Sequence, residues 1–328
     1  MTPAIPKDSI VLVTGVNGFI GSHVADQLME AGYRVRGTTR NVSKVQDLSA
    51  LWKEKFGEGK FEVYTVEDMA KEGVFDEAVK GVSGVAHVAS NLSFDPDPNK
   101  VIPEVLAAKE QSIKRFVFTS SSTAITAPIP NKEFVIDENG WNEADFKAAW
   151  APPPYNDDRK WAVYGSSKME AERALWKFVK EQKPGFVVNA VLLNANFEKI
   201  LVKGQPASTG DWVTTLFKGN TDSLKNSPPQ WFVDVQDDAR IHVAALINPE
   251  IQNERIIVFA EPYNGNDILR ILRKLRPDRK FPEEFVDDNV RDRSKAANQR
   301  GVELLKKDFG RPGWTSLTES LRRNIEDL

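Results

Sequence analysis

Four consecutive apolar residues, Ile10 to Val13, stand near the head of the chain with no polar alternation. That is the pattern of a strand covered on both faces. Glycines follow at 15, 18 and 21, and then Ile20, Val24, Leu28 and Ala31 recur at helical spacing until Gly32, which predicts an amphipathic helix ending at a glycine. The same alternation repeats downstream. Tyr33 to Thr38 reads as a second strand and Ser43 to about Phe56 as a helix with Val45, Leu48, Leu51 and Trp52 on one face. Phe61 to Val66 reads as a third strand, Val74 to Lys80 as a helix, Gly84 to Ser90 as a fourth strand and Lys114 to Phe118 as a fifth. Strands alternating with helices predict an α/β fold around a parallel sheet.

Between the fourth and fifth strands the rhythm falters. Pro96, Pro98 and Pro103 block early helix formation, leaving about nine residues, Pro103 to Gln111, for a crossover helix of about 13 Å. From Ala127 to Asp158 the chain reads as irregular, rich in proline and holding Trp141 and Trp150, the composition of a lid or pocket wall. A long helix follows, running from about Trp161 to Gln182 before Pro184 and Gly185. Later elements are a helix with Trp212, Val213, Leu216 and Phe217, a strand passing into a helix over Phe232 to Val243, and a strand at Ile256 to Phe259. The acidic residues after Phe232 read as N-caps. Ser316 and Glu319 match a capping box that starts a terminal helix with Leu321 and Ile325 facing inward.

Composition narrows the partners. The 328 residues are 41% apolar and 28% charged with a net charge of −3, ordinary for a soluble globular protein. No basic run marks a nucleic-acid or anionic-membrane surface. The absence of cysteine and the scatter of the three histidines, His23, His87 and His242, argue against a metal centre. No apolar stretch of about 18 residues occurs, so the expectation is a cytoplasmic protein with no nucleic-acid or membrane partner.

Candidate chemistry begins at the glycine turn. Gly15 permits the tight turn, Gly18 lets a pyrophosphate approach the backbone, and Gly21 lets the helix lie close on the strand. Phosphates would sit at the positive helix end, which makes Thr14, Gly15, Asn17, Gly18, Phe19 and Ile20 candidate dinucleotide contacts. At the end of the second strand, where an acidic residue would accept the ribose hydroxyl of NAD, the chain has Arg40, with Lys44 one turn on. A guanidinium there matches the 2′-phosphate of NADP. Asp68, beyond the third strand, is a candidate for the adenine amino group, and the small residues Ala89 and Ser90 suit a cofactor passing over the fourth strand. His87 reads as a packed strand residue. The fifth strand delivers Thr119, Ser120, Ser121 and Ser122 to the carboxyl edge of the sheet. Tyr164 and Lys168, four residues apart on a helix, share one face, and an ammonium beside a phenol stabilises the phenolate.

These residues resemble the extended short-chain dehydrogenase/reductase family. The likeness rests on Thr14-Gly15-x-x-Gly18-x-x-Gly21, Phe118-Thr119-Ser120-Ser121 and Tyr164-x-x-x-Lys168. Arg36 to Arg40, Gly84 to Ser90 and Gly310 to Trp314 look like its dihydroflavonol-reductase-like branch, and within it like fungal and yeast NADPH-dependent aldehyde or ketone reductases. The resemblance implies a Rossmann-type doubly wound parallel sheet over residues 1–190 and a smaller, mainly substrate-binding region over 191–328. It implies NADPH as hydride donor, a small carbonyl substrate, and a monomer or homodimer. Tyr164 would be the general acid, Ser121 (with Ser122 as runner-up) would hydrogen-bond the substrate oxygen, and Lys168 would hold the nicotinamide ribose. Thr119 and Asn194 join the implied cofactor contacts. Two features depart from the family: the crossover helix is about a dozen residues shorter, and Val191 to Glu198 replaces a strand that usually ends in proline-asparagine and soon reaches a glycine. Two alternatives stand beside a reductase: a nucleotide-sugar epimerase or dehydratase, and a dinucleotide-binding protein whose shortened crossover has impaired turnover.

Overall fold

Alternation of side chains along the strands sorts the apolar residues onto two faces of one sheet. In the computed structural model, which describes residues 2–69, 71, 73–90 and 113–328, the sheet has seven parallel strands. They are β1 (Ile10–Val13), β2 (Arg34–Thr39), β3 (Phe61–Thr65), β4 (Val82–His87), β5 (Arg115–Ser121), β6 (Val187–Leu193) and β7 (Arg255–Val258). Their spatial order is β3-β2-β1-β4-β5-β6-β7, so the chain winds outward from β1 in both directions. Ligands bind at such a reversal of strand order, beyond the carboxyl ends of the strands.

Val11 and Val13 point to one face and Leu12 to the other. The core on the first face also holds Val24 and Leu28 of helix α1 (Phe19–Glu30), Leu48 and Trp52 of α2 (Gln46–Phe56), Val243 of α6 (Val235–Ile247) and Leu304 of α8 (Gln299–Phe309). On the second face Leu12, Phe116 and Phe118 pack against Ala171 and Leu175 of α4 (Lys160–Gln182). All seven residues of β5 are buried, whereas no residue of edge strand β3 is fully buried.

A second core lies beyond β6. A three-stranded sheet, Ala195–Phe197, Gln230–Asp234 and Glu261–Tyr263, packs Phe197, Phe232 and Tyr263 against α5 (Gly210–Phe217), α7 (Gly265–Leu275) and α9 (Leu317–Asn324). Strand β7 and helices α6 and α8 leave this core and return to the main sheet.

Three expectations change. Residues 74–80 form turns, not a helix. Gly73 and Gly81, at φ 74° and 69°, bracket the segment, and the buried Arg36 guanidinium takes the carbonyls of Ala78 at 2.9 Å and Lys80 at 2.7 Å that a continuing helix would use. The stretch 127–158 is less irregular than its prolines suggest, because it contains α3 (Glu143–Ala149), capped by the Asn142 side chain. At the terminal helix Ser316 does cap Glu319, at 3.3 Å. The reciprocal half of the box is missing because the Glu319 carboxylate pairs with Arg322 and Arg323 at 2.8 Å each. The short crossover at Pro103 to Gln111 lies outside the described residues.

Gly21 shows how tightly α1 sits on the turn. A Cβ there would lie 3.0 Å from the Gly15 carbonyl carbon and nearer still to its oxygen, and backbone cannot swing aside as a flexible side chain would. Gly21→Ala is expected to lower unfolding free energy by about 1–3 kcal/mol, read as a lower urea midpoint at unchanged slope. An unchanged midpoint would mean that the turn is looser than described.

Candidate active site

The glycine turn is held from three sides. Thr14 Oγ1 accepts the amide protons of Val88 and Ala89, each at 3.0 Å, so its own proton goes to His87 Nδ1, also at 3.0 Å. That contact assigns the His87 proton to Nε2. Burial, and next the Lys168 charge, push the His87 imidazole down to about 4, so it is a neutral brace, in keeping with its reading as a packed residue. The brace stitches the end of β1 to the end of β4 and sets Ala89 against Gly15, whose φ is 65° and whose Cβ, if it had one, would lie 3.1 Å from the Ala89 Cα. On the β2 side, Thr39 Oγ1 donates to Asn17 Oδ1 at 2.9 Å. From the far side, the Gln205 amide donates to the Gly18 carbonyl at 3.1 Å and to Ser22 Oγ at 2.7 Å. No motif announced Gln205, which reaches the turn across 187 residues of sequence.

The residues present fit a dinucleotide. Gly18 is the N-cap of α1, no side chain caps that helix, and no acidic residue lies in its first turn, so no internal anion competes for the positive end. Phe19, at the start of the helix, is buried and Ile20 half-buried. Arg40 is exposed at the end of β2 and Lys44 is exposed in the following turn. Asp68 is exposed beyond β3, and Ala89 and Ser90 are half-buried at the end of β4.

Helix α4 crosses the carboxyl end of β5. Its half-buried Tyr164 hydrogen-bonds to Ser121, the last residue of β5. Burial raises the phenol above its ordinary value and the Ser121 bond opposes this. Ser121 Oγ also accepts from Thr123, at 3.2 Å from the backbone N–H and 3.0 Å from the hydroxyl. One turn along the helix, the buried Lys168 donates from Nζ to the Thr119 carbonyl at 3.2 Å. Burial pushes this ammonium down to about 8, and the Glu172 charge pulls it back up. The structure therefore brings Ser121, Tyr164 and Lys168 together at the sheet edge. Beside them Ser122 and Asn194 line a shallow surface hollow with Phe134, Trp231 and Asp292 on its walls. Among the described residues no group of three or more histidine or acidic side chains is placed to hold a metal ion.

The segment after β6 explains one departure noted in the sequence. Glu198 has φ 137°, so the chain follows a path suited to glycine with a glutamate in place. Its buried carboxylate accepts from Gln236 Nε2 at 2.9 Å and lies 3.5 Å from Arg323. Burial, and then the nearby Asp234 charge, push Glu198 up to about 8. Asp234 caps α6 through the amides of Gln236 and Asp237, the N-cap role expected of these acids, and burial followed by Asp237 pushes it up to about 7.

A sequence profile of the NAD dependent epimerase/dehydratase family matches residues 11–197, which contain the turn, the serine strand and α4. The chain belongs to that family. Epimerase/dehydratase relatives similar over nearly the whole length include aldehyde reductase 2 of Sporidiobolus salmonicolor, 41% identical over 97% of this chain and 95% of that protein. Ketoreductase adrE of Penicillium roqueforti is 36% identical over 98% and 97% respectively. Among solved structures, Gre2 of Candida albicans in complex with NADPH superposes with a TM-score of 0.81 at 24% identity, covering 97% of this chain and 98% of that one. That last likeness speaks to the fold of this epimerase/dehydratase family member alone.

Glu198 titrates with a definite sign. Its folded value lies above its unfolded one, so the folded state holds the extra proton and wild-type stability falls as pH rises through the window from about 4.5 to about 8. Glu198→Gln removes that titration. Measured by urea unfolding, the variant is expected to gain on wild type between pH 5 and pH 8 by on the order of 1 kcal/mol or more; a constant difference across that range would contradict the assignment.

Proposed function

We propose that this chain is an NADPH-dependent carbonyl reductase that converts an aldehyde or ketone to the alcohol. The observation that carries the reading is a phenol hydrogen-bonded to Ser121 and set one helical turn from a buried ammonium, at the sheet edge beside the glycine turn. The names of the aldehyde reductase and ketoreductase relatives support it. The nucleotide-sugar epimerase alternative is disfavoured by Arg40, since an acidic residue would be expected at that strand end for NAD.

Thr14, Gly15, Asn17, Gly18, Phe19 and Ile20 would hold the diphosphate, Arg40 and Lys44 the 2′-phosphate and Asp68 the adenine. Ala89, Ser90, Thr119 and Asn194 would line the nicotinamide end. NADPH, when bound, supplies a hydride to the carbonyl carbon. As the carbon–oxygen π bond breaks, the oxygen takes up the electron pair and becomes a stronger hydrogen-bond acceptor. Ser121 donates to that oxygen, and Tyr164 transfers its phenolic proton to it, giving the neutral alcohol. The phenolate left behind is stabilised by the Lys168 ammonium and is reprotonated from solvent. Burial alone would make Tyr164 too weak an acid; the Ser121 bond opposes that, and an ammonium one turn away would favour the phenolate further. Residues 191–328 form the mainly substrate-binding part, and Asn194 at its start stands beside Ser122 of the serine cluster. A cytoplasmic location and a monomer or homodimer belong to the same reading.

A panel of aldehydes and ketones, followed by NADPH absorbance, tests the activity. With any substrate found, Tyr164→Phe is expected to cut turnover by about 10²- to 10⁴-fold while leaving NADPH affinity nearly unchanged; equal loss of both would make the tyrosine structural. Arg40→Asp is expected to shift the NADPH-over-NADH preference by about tenfold or more toward NADH, and an unchanged ratio would remove Arg40 from the phosphate site.

A further inference from the structure

A buried acidic side chain belongs to the same helix, and the reduction as described does not use it. Glu172 lies one turn beyond Lys168 and is fully buried. Its carboxylate is saturated with donors. Arg255 Nε approaches Oε1 at 2.6 Å and Arg255 Nη2 approaches Oε2 at 3.2 Å. Trp176 donates to Oε1 at 3.0 Å, and Ser120 Oγ donates to Oε2 at 2.6 Å. Arg255 is itself pinned, stacked 4.0 Å from the Trp141 ring centroid and donating to the carbonyls of Glu138 and Gly140. Four donors thus converge on one carboxylate, two of them from the Arg255 guanidinium.

We propose that Glu172 is a positioning residue for the reduction, fixing Ser120 and therefore Ser121 of β5 against α4 and setting a carboxylate one helical turn from the Lys168 side chain. The proposal rests on the reductase reading. Three successive turns of α4 engage the end of one strand: Tyr164 with Ser121, Lys168 with Thr119, Glu172 with Ser120. Rotation of the helix would break all three contacts together.

The other groups around Lys168 cannot substitute for that carboxylate. From β4, His87 is neutral near pH 7. From β5 come only the Thr119 carbonyl and, 5.9 Å away, the Phe118 ring. On the opposite side of the sheet His242 of α6 meets the Thr119 hydroxyl at 2.8 Å and is held by Asp238 of its own helix at 3.2 Å. From α3, Asp145 packs against Gly165, where a Cβ would lie 3.1 Å from its Cγ. Burial raises Asp145 to about 6, and among the described residues Glu172 is the charged group that opposes the desolvation of Lys168.

The test compares wild type, Glu172→Gln and Glu172→Asp by two readouts: the pH profile of kcat/KM, and carbon NMR titration of labelled lysine at position 168. The glutamine keeps shape but loses the charge, so the alkaline limb and the Lys168 titration should both move to lower pH by about one unit, a tenfold change in the ionisation equilibrium. The aspartate, which retains the charge, should return both toward wild type and provides the comparison if the glutamine protein does not fold. Glutamine lowering thermal stability or kcat while both titrations stay in place would reduce Glu172 to a structural residue and overturn the proposal. Should wild type reduce no carbonyl at all, the reductase reading fails, while an unmoved or shifted lysine titration still decides the electrostatic role separately.

Discussion

An ammonium buried in a protein interior is stable only if something nearby compensates for the water it has lost. Lys168 meets that requirement with one carbonyl at 3.2 Å and one carboxylate a turn away, and both demands constrain the same pair of elements. The carbonyl belongs to β5 and the carboxylate is tied to β5 through Ser120. The strand and α4 are therefore locked in one relative rotation, and that rotation is the one in which the phenol meets Ser121. The geometry of the proton donor follows from the solvation of its neighbour.

The opposite wall of the cleft depends on a different economy, that of hydroxyl hydrogen bonding. A single threonine hydroxyl accepts two amide protons and donates its own to a neutral imidazole, and this joins the first strand to the fourth where the turn begins. Gly15 and Gly21 then allow backbone to approach backbone more closely than any Cβ would permit. Gln205 closes the arrangement from the later part of the chain, bonding the turn through its side-chain amide. The turn and the later segment are thus mechanically joined, although their chemistry is separate.

Much of this was legible in the linear sequence where the signal is local. The strand–glycine–helix opening, the tyrosine four residues before the lysine and the basic end of β2 are patterns of near neighbours, and each appears where its spacing predicts. At 74–80 apolar spacing suggests a helix, but Arg36, more than forty residues earlier in the chain, captures the carbonyls such a helix would need. Gln205, Glu172 with Arg255, and the glycine-like backbone of Glu198 were invisible for the same reason: each acts on residues that only folding brings near. The half-formed cap at Ser316 shows a local motif losing to local competitors, since two arginines on the next turn claim the glutamate first.

The chemistry proposed for this site is hydride transfer to a carbonyl carbon while the phenol protonates its oxygen. NADPH deuterated at the transferable nicotinamide position tests this most directly, with the alcohol product analysed by mass and by NMR. One deuterium per alcohol is expected, on the carbinol carbon, with the hydroxyl proton drawn from solvent. Protein that binds the cofactor yet yields no deuterated alcohol from any carbonyl offered would contradict it.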